Sequence, residues 1–191
     1  VQRDLTPCPG AQVTQTMDVT QSKLCMGFTT PITLQSEELS AMQVLNQVFG
    51  AGMTSKLFTN VREKQSLCYS IGSGYYSAKG IVTVSAGIES ATRQQVQEEV
   101  LRQLEACARG DISEEELSSG KQGLLSALRA AHDSPSSIES YYSNAILAGK
   151  LLTPVEKMAQ IAAVEREHVA RAAQTVQLHS TYFLTEGRSS Q

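Results

Sequence analysis

Apolar side chains between Lys23 and Phe28 fall on alternate positions, Leu24, Met26 and Phe28, the period of a half-buried strand. The period then lengthens. Ser36 stands where a helix cap belongs, Glu37 and Glu38 suit the positive end of a helix dipole, and Leu39, Met42, Leu45 and Phe49 make one stripe up to a stop at Gly50. After the turn Gly50-Ala51-Gly52, a short helix is predicted from about Ser55 to Lys64, with Leu57, Phe58 and Val61 inward. Leu67 to Tyr76 reads as a strand, Ser77–Gly80 as a turn, and Ile81–Ile88 as the returning strand, with Val82, Val84, Ala86 and Ile88 at period two.

Helical periods dominate the remainder. Val96, Val100, Leu104 and Cys107 define one helix that stops at Gly110. Ser113 and Glu116 form a capping box ahead of a helix carrying Leu117, Leu124 and Leu128, which Asp133-Ser134-Pro135 breaks. Ser137–Ala148 follows, with Ile138, Tyr141, Tyr142 and Ala145 inward. Thr153, Pro154 and Glu156 make a second capping box with proline at the first helical position. Glu165–Val176 is the last predicted helix and Thr181–Thr185 a final strand. Long helical stretches beside a hairpin predict an α+β fold, a mainly antiparallel sheet covered on one face by helices. Residues 1–16, with Pro7, Pro9, Gly10 and no apolar period, read as a linker; residues 17–186 form a single domain; residues 187–191 form a tail that should fray.

Composition narrows the function. The 191 residues are enough for one domain with a real core, and 41 % hydrophobic with 18 % charged residues is ordinary for a globular protein. A net charge of −3 gives no basis for nucleic-acid binding, and no apolar run approaches a membrane span. The first residue is Val1, as in a fragment or a trimmed chain, and no basic-then-apolar leader opens it. Cys8, Cys25, Cys68 and Cys107 lack any metal-site spacing and read as idle thiols in a reducing compartment, which points to the cytoplasm.

Candidate chemistry concentrates between Thr54 and Ile71. Arg62 and Tyr69 lie seven residues apart across a helix-to-strand junction. A guanidinium that grips a peptide carbonyl or carboxylate, and a phenol that donates a proton, are groups a peptide-handling cleft uses. Taken singly, Arg62 reads as a surface partner of Glu63 or Glu98, and Tyr69 as a packed strand residue with a wet hydroxyl. His132, His168 and His179 include no pair at metal-binding helical spacing. His168, three residues after Glu165, reads as half of a solvent-facing ion pair, and His132 beside Asp133 as a cation at a helix end. Gly50 and Gly52 lack the Gly-Lys-Ser/Thr ending of a phosphate loop.

In combination these residues resemble the C-terminal, non-metal half of the pitrilysin/insulinase zinc metallopeptidases. The likeness rests on Gly50-x-Gly52-Met53-x-Ser55-x-Leu57-Phe58, then Val61-Arg62-Glu63-Lys64, then Leu67-x-Tyr69-Ser70, and continues through Gly80 to Gly87-Ile88 and the helices beyond. It covers roughly Met17 to Glu186. Lys23-Leu24-x-Met26-Gly27 and Lys79-Gly80 are similar to a bacterial branch that includes members without the metal motif.

The resemblance implies related α+β domains facing each other around a chamber. A His-x-x-Glu-His motif on the N-terminal half supplies the zinc site, and the facing half supplies an arginine and a tyrosine. By that match Arg62 and Tyr69 bind substrate, and Tyr69 donates to the oxyanion of a tetrahedral intermediate. This chain has no His-x-x-Glu-His. No metal is therefore expected on it, and zinc is expected on a partner domain or subunit if the assembly is active. The implied partners are a peptide or unfolded polypeptide and the metal-binding half, with a dimer left open. The alternative is a non-catalytic structural or interaction homologue.

Overall fold

The computed structural model describes residues 10–131 and 133–187. Residues 1–9, His132 and residues 188–191, which hold Cys8, the expected helix-end cation and most of the expected tail, lie outside the described residues.

Among the described residues five strands form one sheet in the order β1-β5-β2-β4-β3. They are β1 (Gln12–Met17), β2 (Ser22–Thr29), β3 (Ser70–Tyr76), β4 (Ile81–Ile88) and β5 (Gln177–Glu186). Every pairing is antiparallel except β1 with β5. Alternation decides which face is buried. Leu24 lies beside Ala86 and Phe183, Met26 beside Val84, and Phe28 beside Val82, so these side chains line up on one buried face. The intervening positions, such as Cys25, Thr29, Ser85 and Tyr182, are exposed or half-buried.

Among the described residues seven helices longer than a single turn accompany the sheet. They are α1 (Leu39–Asn46), α2 (Leu57–Lys64), α3 (Arg93–Ala108), α4 (Glu114–Ala131), α5 (Pro135–Ala148), α6 (Pro154–Ala162) and α7 (Arg166–Gln174). α1 does not stop at Gly50 but runs on through Ala51 with a wider π-type winding, and α2 is wound the same way. Gly50 is needed for packing instead. A Cβ there would press on the Ser73 side chain of β3 and on Leu57 of α2, so the bare backbone lets all three elements meet. Gly80, at φ 63°, closes the β3–β4 turn where a side chain would strike the Thr30 carbonyl.

Most predicted elements are present, and the differences have local causes. Gln12–Met17, which falls within the stretch read as linker up to residue 16, is an edge strand. Its six positions are all exposed, so it carries no period-two signal. Ser36 does not cap α1. Its hydroxyl accepts from Thr33 N–H in a preceding turn, and the helix begins at Leu39. The capping boxes of Ser113 with Glu116 and of Thr153 with Glu156 form as predicted. Ser134 and Pro135, read as a break, also start α5: Ser134 caps it and Pro135 takes its first turn. Among the described residues Cys25, Cys68 and Cys107 are free thiols, and burial pushes Cys107 up to about 12. Among the described residues no helix is long and apolar enough to cross a membrane.

Candidate functional site

The α2–β3 junction builds the site. Leu57 and Val61, one helical turn apart, are fully buried and fix the inner face of α2. A polar chain anchors its outer flank. Asn60 donates to Gln103 at 2.8 Å, Gln103 donates to Glu99 at 2.6 Å, and Arg102 pairs with Glu99 at 2.6 Å. Burial alone would raise the Glu99 carboxyl, but donors from Arg102, Gln103 and Gln65 outweigh it and hold it below the ordinary value. Gln65 directly follows α2, so Glu99 secures the end of the helix that carries Arg62.

Arg62 is half-buried. Its guanidinium lies 4.7 Å from the centre of the Phe58 ring and 3.9 Å from Glu63, a loose ion pair. The chain then reverses at Ser66, which takes φ 51°, and Leu67 N–H closes back on the Val61 carbonyl at 3.0 Å. The Thr92 hydroxyl donates to the carbonyls of Leu67 and Glu89, tying this reversal to the end of β4. Tyr69 follows, with its backbone N–H on the Gly87 carbonyl at 2.9 Å. Its side chain is 58 % exposed, and the phenol donates to Glu89 Oε1 at 2.9 Å. That hydrogen bond, then the Glu89 charge, then desolvation raise the Tyr69 ionisation above its ordinary value.

Arg62, Cys68, Tyr69 and Glu89 line one cleft of about 520 Å³. The two residues singled out from the sequence therefore share a wall, and Arg62 meets Glu63 as its isolated reading held. Burial raises the Cys68 thiol and Arg62 partly offsets it, which favours the protonated, unreactive sulfur. Glu89 was not singled out. The hairpin register could have found it: Tyr76 opposite Ile81 and Ser70 opposite Gly87 set Tyr69 level with Ile88, next to Glu89.

The donor set for zinc does not fit. Among the described residues no three His, Cys, Asp or Glu side chains converge as a ligand group. His168 Nδ1 accepts from the Glu165 backbone N–H at 2.9 Å, so the expected ion pair is a helix-start contact instead. His179 Nδ1 lies 2.6 Å from the Ser180 hydroxyl.

Comparison with known proteins agrees with the fold. Residues 2–124 match the family described as peptidase M16 inactive domain. A "probable inactive metalloprotease YmfF" of Bacillus subtilis is 36 % identical over 176 residues, covering 90 % of this chain and 41 % of that protein. An "uncharacterized zinc protease YmxG" of the same organism is 31 % identical over 161 residues, 83 % of this chain and 39 % of the relative. The chain thus spans about two fifths of the length of the curated relatives it matches. A crystal structure of a conserved protein from Enterococcus faecalis V583 superposes with a TM-score of 0.89 at 30 % identity, over 99 % of this chain and 44 % of that one. The chain belongs to the peptidase M16 inactive-domain family.

Proposed function

We propose that this domain is the substrate-binding, non-zinc half of a bipartite metallopeptidase. It holds an extended peptide and presents Arg62 and Tyr69 to a zinc site carried by another domain or subunit. The observation that carries this reading is the shared cleft of Arg62 and Tyr69 beside β3. That strand ends the sheet order and offers an edge to which a peptide can add. Arginine keeps its charge and grips backbone carbonyls through forked donors. A neutral phenol donates to an oxyanion, and Glu89 helps to keep Tyr69 neutral. The free thiols suit a reducing, cytoplasmic setting.

The test joins the chain to a zinc-bearing half and follows cleavage of a fluorogenic peptide. Tyr69→Phe is expected to lower kcat on the order of 100-fold, and Arg62→Ala to raise KM. Unchanged turnover in Tyr69→Phe refutes the role.

A second reading, a non-catalytic interaction homologue, is favoured by a specific observation. Both donors already face acidic neighbours, Arg62 with Glu63 and Tyr69 with Glu89. A relative named as an inactive metalloprotease supports the same reading. In that case the joined assembly binds peptide without cutting it, and chelators leave the affinity unaltered.

A further inference from the structure

A larger cavity, of about 920 Å³, opens elsewhere in the domain. Gln43 of α1, Leu124 and Leu128 of α4, Tyr141 of α5, and Lys157 and Ile161 of α6 contribute to its walls. None of these residues belongs to the Arg62–Tyr69 cleft.

Two polar groups in this wall are unmatched. Lys157 is only 8 % exposed, and its ammonium donates to the Ser40 hydroxyl at 2.9 Å. Among the described residues no carboxylate pairs with it. The other charged side chains of the wall are Glu37 and Lys150, and Lys150 opposes the Lys157 charge. A buried cation without an anion is costly, and a bound carboxylate relieves that cost. The second group is Gln43 Oε1, a buried acceptor with no hydrogen-bond partner; Gln43 itself lines the cavity, and a turn of its amide is needed to bring this oxygen to the ligand. Ser40, which holds the ammonium, and Gln43 lie three residues apart on α1, so they are neighbours on one helix face, about 5–6 Å apart at Cβ.

The ligand that answers both needs carries an anion, an N–H donor close to it, and an apolar body. We infer that this cavity captures the free C-terminus of a peptide with apolar last residues. The terminal carboxylate meets Lys157, the last amide N–H meets Gln43, and the final side chain lies among Leu124, Leu128 and Ile161. An unesterified fatty acid supplies the anion and the apolar body but no N–H, so Gln43 favours the peptide. The same stretch of chain leaves Ile146, Leu147, Leu151 and Val155 exposed, an apolar surface for the preceding peptide residues. The ligand class is that of the function proposed above, but the binding residues are separate.

The experiment is calorimetric titration of the full chain at pH 7 with N-acetyl-Ala-Ala-Leu-Phe as the free acid, with its C-terminal amide, and with decanoate. The acid is expected to bind at least about tenfold more tightly than the amide, the range of a charge-assisted hydrogen bond. Lys157→Met removes that preference, and Gln43→Leu weakens the acid selectively. Equal binding of acid and amide by the unaltered chain, or no binding of either, overturns the assignment. So does an acid preference that survives in Lys157→Met, or decanoate binding as tightly as the peptide and indifferent to Gln43→Leu. Failure here leaves the turnover test of Tyr69→Phe independent, because that test reads the other cleft.

Discussion

The Tyr69 phenol donates to Glu89 Oε1 at 2.9 Å, across the open end of the β3–β4 hairpin. A phenol that donates to a carboxylate loses that bond on ionising and gains a neighbouring like charge, so its proton is held more tightly. Tyr69 is therefore expected to ionise above its ordinary value of 10.0. Glu89→Gln is expected to bring it back toward that value. Ultraviolet difference titration of the chain against Tyr69→Phe measures this, and an identical curve in Glu89→Gln would show that the contact does not persist in solution.

The same bond sets a condition on catalysis. A phenol committed to Glu89 must leave it before it meets an oxyanion. In the joined assembly, Glu89→Ala is expected to keep or modestly raise kcat, whereas Tyr69→Phe loses about 100-fold. Steady-state kinetics on the two variants side by side decide it. A comparable loss in Glu89→Ala would mean that Glu89 positions the phenol rather than restraining it.

Ser66 reverses the chain between Arg62 and Tyr69 with a left-handed φ of 51°. A side chain in that region costs roughly 1 kcal/mol that glycine avoids. Ser66→Gly is expected to raise stability by up to about 1 kcal/mol in urea unfolding. A loss of stability would show that the serine side chain contributes more than its backbone conformation costs.

What the sequence made legible follows burial. Leu24, Met26 and Phe28, and Val82 to Ile88, announce β2 and β4 because one face of each is in the core. Gln12–Met17 is silent because a strand exposed at every position has no face to mark. The capping boxes are legible because both partners sit three residues apart. Ser36 misleads because a hydroxyl ahead of acidic residues suits a turn as well as a cap. In the site, Arg62 and Tyr69 stand out through local spacing, while Glu89 becomes visible only once the hairpin register is counted. Lys157 and Gln43 come to line one cavity through the packing of α6 on α1, which no local pattern encodes.

Buried Lys56 and half-buried Glu116 form a pair at 3.0 Å that joins the start of α2 to the first turn of α4. Glu116 has a second duty, since its other oxygen accepts from Ser113 N–H. Glu116→Ala therefore strands a buried ammonium and opens a helix cap together, and about 3 kcal/mol or more of stability should be lost. Lys56→Met leaves the more accessible carboxylate with its cap bond and should cost clearly less. Urea midpoints of the two variants test this order. Equal losses would place the stability in the contact itself rather than in the stranded charge.

Lys157 makes the stability of the domain depend on alkaline pH in an unusual direction. Burial first, and Lys150 second, lower it from an ordinary 10.5 to about 8 in the folded chain. The unfolded chain therefore binds more protons between about pH 8 and 10.5, and this group makes stability rise with pH across that window. Below pH 8 both states are protonated, and the full cost of burying the charge, roughly 3 kcal/mol by linkage, is present. Lys157→Met removes the charge at similar length, so it is expected to be stabilising at pH 7. That advantage should shrink steadily between pH 8 and pH 10.5, as the native lysine comes to fold in its neutral form. Thermal or urea unfolding of both proteins at several pH values measures the difference, which cancels the other tyrosines and lysines that titrate in the same range. A difference independent of pH would mean that the ammonium is hydrated in solution, and the cavity would then lose its uncompensated cation.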